Sequence, residues 1–203
     1  FLQQMVEKGW LGRKSGQGFY KKEGKELLAL DVTSMEYRSK QKVRYDSLGA
    51  IRNMEVLEDK LQHLAGADDR AAELFWKVSA ATSIYAANRL GEIADDIVQI
   101  DNGMKWGFAW EMGPFETWDA VGVASSVERM KAEGMPVPAW VDEMLAAGRS
   151  SFYEWGEAGA RTYWDPNKKE AVLLDEGEEV KTFIALKKDA SNVVKDSFAT
   201  SLI

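Results

Sequence analysis

A chain of 203 residues that is 45% hydrophobic has material for one sizeable domain and a smaller appendage, which excludes wholesale disorder. A formal charge of −7 argues against the net basic surface that nucleic acids and anionic membranes attract, and no apolar run approaches the roughly 18 residues that a membrane-spanning helix needs. Cys is absent, so there is neither a disulfide framework nor thiolate chemistry, which fits a reducing, cytoplasmic setting.

Phe1-Leu2-Gln3-Gln4-Met5-Val6-Glu7-Lys8-Gly9 reads as the last turns of a helix reaching a glycine cap. Residues 9–20, GWLGRKSGQGFY, form a Gly-punctuated loop in which Gly16 and Gly18 permit a tight turn and Phe19-Tyr20 anchors it on the core. Leu27–Leu30 is a candidate strand in an otherwise polar stretch. From Ser47, Leu48, Ile51, Met54, Val56, Leu57, Leu61 and Leu64 recur at near-helical spacing up to Gly66. Asp68 or Asp69 caps a second helix, running through Leu74, Phe75, Val78, Ile84 and Tyr85 to about Ala94, with Ala80, Ala81, Ala86 and Ala87 for close packing.

Further helices are expected at 94–105, 115–121, 124–133 and 138–147, separated by Gly and Pro signals. After Gly148, short aromatic and β-branched runs (Ser151–Trp155, Arg161–Trp164, Ala171–Leu174) suggest a small hairpin or meander. Residues from Glu176 read as a linker, and Ser201-Leu202-Ile203 as the start of a strand. The expected fold class is mainly α, a helical bundle with a small β appendage. An opening on a helix remnant and a closing on a strand suggest a piece of a longer polypeptide.

An internal repeat is also visible. Met5–Gly9 corresponds to Met144–Gly148, each followed by a Phe-Tyr pair (Phe19-Tyr20 and Phe152-Tyr153), and Lys25–Asp31 corresponds to Lys169–Asp175. On this reading residues 1–46 are the tail of a first copy plus a linker. Residues 47–175 are a whole second copy with its β appendage, and 176–203 lead toward a following domain. The second copy lacks the loop residues between Gly12 and Gly18.

Three motifs carry a family resemblance. Gly12, Lys14, Ser15, Gly16, Gly18, Phe19 and Tyr20 are similar to the loop that closes the C-terminal domain of 3-hydroxyacyl-CoA dehydrogenases. Trp110-Glu111-Met112-Gly113-Pro114-Phe115-Glu116 through Gly122 resembles that family's Pro-Met-Gly-Pro-Phe-Glu run, with Trp110-Glu111 departing from it. Ala87-Asn88-Arg89-Leu90 resembles the Val-Asn-Arg-Leu of the domain's first helix, and Asp95 and Asp101 fall where the family has a polar inter-helix turn.

The resemblance implies NAD-dependent oxidation of 3-hydroxyacyl-CoA to 3-oxoacyl-CoA in fatty-acid β-oxidation, by a longer, multifunctional protein. The implied partners are an acyl-CoA substrate, an NAD-binding domain, a first helical copy and a crotonase-like domain. By the family pattern Asn88 is the substrate-contacting Asn, and Met112, Pro114 and Phe115 are candidate substrate contacts. Catalysis in the family uses a His–Glu pair and a strand–GxGxxG–helix cofactor site, and the sequence contains neither. No certain catalytic residue and no metal-ligand cluster is found. The expectation is a segment that closes an acyl-CoA cleft and is inactive alone, against the alternative of a non-catalytic oligomerisation or binding module.

Other residues have plainer readings. His63, the only His, reads as a solvated helix residue, and Asp95-Asp96 as a solvated face because adjacent helical residues point apart. Trp106, Trp110 and Trp118 read as core, and Arg13 and Lys14 as exposed.

Overall fold

In a computed structural model of the chain, the described residues are 1–156 and 160–175, with the backbone of 195–196 and 201–202. The chain divides into two compact units, Phe1–Arg44 and Tyr45–Ile203.

The first unit begins with helix α1 (Leu2–Glu7), which ends at Lys8 before Gly9 turns at φ +71°. A single 3₁₀ turn (Arg13–Ser15) leads into an antiparallel meander of β1 (Tyr20–Glu23), β2 (Glu26–Asp31) and β3 (Glu36–Arg38). The loop is held by its own small residues. Leu11 N–H donates to Ser15 Oγ (2.9 Å), and that hydroxyl lies 3.1 Å from both Gly12 O and Gln17 O. A Cβ on Gly18 would stand 2.6 Å from Gly12 Cα, so only glycine fits there. Phe19 and Tyr20 are about half exposed and do not anchor the loop on a core, contrary to the expectation; Met5, Leu28 and Leu30 are the buried apolar side chains.

The second unit is mainly α, with a β appendage, as its sequence pattern leads one to expect. Its helices are α2 (Asp46–Ile51), α3 (Leu57–Gly66), α4 (Arg70–Arg89), α5 (Ile97–Phe108), α6 (Pro114–Val121), α7 (Val123–Ala132) and α8 (Ala139–Ala146). The stripe from Leu48 to Leu64 is broken into two helices by a turn at 52–56 rather than forming one. Asp69 caps α4, accepting from Ala71 N and Ala72 N, and also takes the Ser47 N–H and hydroxyl, which ties α2 to the start of α4. α4 stops at Arg89, short of Ala94, where Gly91 turns at φ +79°.

α6 is the hub, packing against α3, α4, α5 and α7. The core gathers Trp76, Ala80, Ile84 and Ala87 from α4, Ile97 and Ile100 from α5, and Phe115 and Trp118 from α6, and it continues through Val127, Met130, Val141 and Met144. α4 turns its small residues inward: Ala72, Ala80, Ser83, Ala86 and Ala87 are buried, while Leu74, Val78 and Tyr85 are exposed. Ala80, Ala86 and Ala87, expected to pack closely, thus face inward, and of the apolar residues named for this helix Ile84 joins them in the core. Of the three tryptophans assigned to the core, only Trp118 is buried, and Trp106 is 81% exposed.

The appendage is a second antiparallel meander of β4 (Tyr153–Trp155), β5 (Arg161–Asp165) and β6 (Glu170–Leu173). Phe152 fixes it to the bundle, with its ring 5.1 Å from Phe115 and 5.2 Å from Trp118, centroid to centroid. A two-residue strand pair joins β7 (Lys195–Asp196) and β8 (Ser201–Leu202); the remaining residues of the expected linker lie outside those described.

The repeat recurs in these elements, in a different register. Both meanders follow a helix and a positive-φ glycine, Gly9 after α1 and Gly148 after α8. Leu30 N–H donates to Phe19 O, as Trp164 N–H donates to Phe152 O. Asp31 Oδ1 accepts from Thr33 N and Ser34 N, and Asp165 Oδ1 from Asn167 N and Lys168 N. Each turn ends on a positive-φ residue, Met35 or Lys169. Asp31 therefore matches Asp165, so the sequence alignment of Lys25–Asp31 with Lys169–Asp175 set β2 against the wrong strand, β6 instead of β5.

Candidate functional site

The Met112–Gly122 motif sits at the junction of α5, α6 and the β appendage. α6 begins with Gly113 at its N-cap and Pro114 at its first position, where the missing N–H costs nothing. Gly113 has no side chain with which to cap the helix, and α5 supplies one. Asp101 accepts from Phe115 N (2.9 Å) and Glu116 N (3.2 Å), the second and third helical amides. It can reach them because Gly113 lacks a Cβ, which would collide with Asp101 Oδ1, Cα and Cβ. Glu116 reaches back to accept from Gly113 N (3.0 Å), the return half of a capping box.

The same carboxylates hold the appendage. Tyr153 O–H donates to Asp101 (2.8 Å), and Asp119 accepts from Phe152 N (2.7 Å) and Tyr153 N (2.8 Å). Lys105 pairs with Glu116 at 2.9 Å, and Arg161 lies 3.5 Å from the same oxygen. Three carboxylates and two cations thus meet at one buried junction. Burial pushes the Asp101 carboxyl up to about 7, against the lowering effect of the Phe115 and Tyr153 hydrogen bonds and with the Glu116 charge adding to the rise. Burial also raises Asp119 to about 7, opposed by the Phe152 and Tyr153 amides. Tyr153 is pushed far up by its burial and by Asp101.

The structure separates the sequence-predicted contacts. Phe115 is fully buried in the core, Pro114 is buried, Met112 is half-buried and Asn88 is exposed. Asn88 Nδ2 donates to Ile84 O (2.8 Å) one turn back on its own helix, and so joins no neighbouring helix. An apolar groove of about 380 Å³ lies between α4 and α5, with Tyr85, Arg89, Ile93, Met104 and Pro114 in its lining, and Asn88 is not part of that lining. Of the four candidate contacts, Pro114 lines this groove.

Asp101 is the residue that sequence reasoning misplaced. Its place in the family pattern is a polar inter-helix turn, whereas it lies inside α5 with no exposed surface. A lone acid one residue past Ile100, on the apolar side of a helix, is the signal that marks it. Asp96 is the N-cap of α5, accepting from Gln99 N (2.8 Å), and Asp95 is exposed. His63 is half-buried in the last turn of α3, and Arg13 and Lys14 are exposed. Among the described residues no group of three or more His, Cys, Asp or Glu is placed to hold a metal ion, and no helix is long and apolar enough to cross a membrane.

The geometry defines a mainly helical unit in which Gly113, Phe115, Glu116 and Asp119 of the motif are engaged in its own internal joints. Over 200 residues, 98% of this chain, it is 42% identical to a probable 3-hydroxyacyl-CoA dehydrogenase of Bacillus subtilis, of which the match covers 25%. It is 29% identical over 119 residues to a putative fatty acid oxidation complex trifunctional enzyme of Rickettsia felis, and 26% over 117 residues to one of Rickettsia prowazekii, covering 15% of each. The sequence is thus related to a 3-hydroxyacyl-CoA dehydrogenase over nearly all of its length, as its motifs imply, while spanning about a quarter of that relative. No family model and no solved structure matches the chain.

Proposed function

We propose that this chain is a helical packing unit of a 3-hydroxyacyl-CoA dehydrogenase that acts in fatty-acid β-oxidation, in which NAD-dependent oxidation of the acyl-CoA is carried out by parts of the protein outside these residues. The observation that carries this reading is the commitment of the family motif to structure. Gly113, Phe115, Glu116 and Asp119 cap, fill or tie, and none of them faces an open site. The described residues form no dinucleotide-binding fold, because every named strand pair is antiparallel and that fold needs parallel strands joined through a Gly-rich turn and a helix.

On this reading residues 1–46 close a preceding helical copy, 47–175 form a second copy, and 176–203 lead to a further, crotonase-like domain. The unit packs on the NAD-binding domain and the first copy of a cytoplasmic enzyme, closing the acyl-CoA cleft. Asn88 keeps the family's position without a substrate role. Incubating the chain with acetoacetyl-CoA and NADH should give no NADH consumption, and measurable turnover would overturn the reading. Acetoacetyl-CoA titrated calorimetrically should show no binding weakened by Asn88→Ala.

The exposed α4 face of Leu74, Val78 and Tyr85 favours a second reading, a non-catalytic association module. Sedimentation separates the two: self-association that Val78→Glu abolishes supports the module.

A further inference from the structure

The first unit, though part of an acidic chain, is basic. Residues 1–44 hold ten Lys and Arg against five Asp and Glu, a formal +5, whereas the whole chain carries −7, leaving −12 for the rest. On that unit the half-buried rings of Trp10 and Tyr37 lie 5.2 Å apart and are flanked by lysines. Lys8 Nζ stands 4.7 Å from the Trp10 ring centre and Lys21 Nζ 5.8 Å from that of Tyr37. Tyr37 O–H donates to Gly18 O (2.6 Å), which fixes its ring to the loop that exposes Arg13 and Lys14. Among the described residues Lys8, Arg13 and Lys14 make no ion pair, and Lys21 shares only an exposed contact with Glu23 at 3.5 Å.

We propose that this Lys8–Trp10–Tyr37–Lys21 face of the first unit binds the adenosine diphosphate end of a nucleotide cofactor, with the purine on the paired rings and the phosphates on the lysines and the loop. Rings joined to cations that have no buried ion pair suit a ligand that carries both a π-face and adjacent negative charge; a bare anion has no use for the rings, and an uncharged base has none for the lysines. Among the described residues outside this unit the cation–ring pairs have their arginines on carboxylates, Arg89 on Glu92, Arg129 on Glu133 and Arg161 on Glu116, so the ligand is directed to this unit. The identity of the nucleotide rests on the proposed function, which supplies two sources with this chemistry: the 3′-phosphorylated end of coenzyme A and the adenosine end of NAD.

The test is calorimetric titration of the full chain with adenosine 3′,5′-bisphosphate, ADP, NADH, inorganic pyrophosphate and adenosine. The nucleotides should bind, more weakly as salt rises, and K8Q/K21Q should weaken them by about tenfold or more, as expected for two lost charge-assisted contacts. Lys8 is exposed at the end of α1 and Lys21 half-exposed in β1, so circular dichroism should show the unit intact. Trp10→Leu should weaken the nucleotides more than pyrophosphate. Tighter binding of the bisphosphate than of NADH assigns coenzyme A, and the reverse assigns the dinucleotide. No saturable nucleotide binding, affinity unchanged in K8Q/K21Q, or pyrophosphate bound as tightly as the nucleotides would overturn the proposal. Acetoacetyl-CoA binding that is indifferent to K8Q/K21Q would sink this site but leave the proposed function standing. NADH consumption by the chain with acetoacetyl-CoA, with nucleotide binding still weakened in K8Q/K21Q, would do the reverse.

Discussion

Gly113→Ala is the sharpest probe of the junction, because its effect is purely steric. Gly113 has φ −77°, a conformation open to any residue, so alanine meets no backbone strain there. The added methyl instead runs into Asp101 at its carboxylate oxygen, Cβ and Cα. Overpacking of this kind costs about 1–3 kcal/mol. If Asp101 withdraws, the Phe115 and Glu116 amides lose their acceptor, at about 1 kcal/mol each. The expected loss is therefore about 3–5 kcal/mol, read from urea unfolding followed by far-ultraviolet circular dichroism. The control is Gly103→Ala in the middle of α5, where the new methyl meets open space. Helix propensity makes that change stabilising by about 0.5–1 kcal/mol, so the same substitution has opposite signs ten residues apart. If Gly113→Ala falls within about 1 kcal/mol of the parent chain, Asp101 does not cap α6 through a gap left for it.

The pH dependence follows from the same junction. Asp101 and Asp119 titrate near 7 when folded against an ordinary 3.8, so between those values the folded state holds protons that the unfolded chain has lost. Their contribution is greatest below about pH 4, is lost as pH rises, and levels off above 7. Each can give a slope up to about 1.4 kcal/mol per pH unit, so unfolding free energy should fall from pH 5 to 7, and a flat or rising curve would refute the assignment. Arg149→Met should cost about 3–5 kcal/mol in the same assay, because the buried guanidinium serves the carbonyls of Ser151, Phe152 and Thr162. Asn88→Ala should change stability by less than about 0.5 kcal/mol, since an exposed side chain bonded to its own helix has little to lose.

The later helices were legible because their punctuation is local. Gly113-Pro114, Gly122, Pro138 and Gly148 bound α6, α7 and α8 to within about two residues of the expected ranges. α4 was legible as a helix and in the close packing of Ala80, Ala86 and Ala87, but not in the exposure of its large apolar residues. Leu74, Val78 and Tyr85 make the larger apolar stripe, yet packing selects the side where Ala72, Ala80 and Ala87 let neighbouring backbones approach. Stripe size does not say which face is covered. The junction was legible only as a motif: the sequence set Gly113, Pro114 and Phe115 together but could not show Asp101 arriving from twelve residues upstream to complete the cap. The repeat was visible at its helix ends and misaligned in its strands, because equivalent turns, Asp31–Met35 and Asp165–Lys169, share hydrogen bonds and backbone angles rather than residue types.

The two copies show what the Gly-rich loop does by showing what replaces it. In the first unit the chain between Gly9 and Tyr20 folds on itself, with Ser15 and the Tyr37 hydroxyl serving its inward carbonyls. In the second, four residues separate Gly148 from Tyr153, too few for such a loop. The Ser151 carbonyl would then be left without a donor, and the Phe152 carbonyl with the Trp164 amide alone. Arg149 takes over, reaching those two carbonyls and Thr162 with one buried guanidinium, and Asp119 takes the Phe152 and Tyr153 amides. The second meander is thereby tied to its helical bundle by ionic side chains, whereas the first is closed by its own backbone and presents its arginine and lysines outward. A loop that is dispensable for building the meander in one copy and surrounded by unpaired cations in the other is free to be used for recognition, and that is where the basic face of the first unit lies.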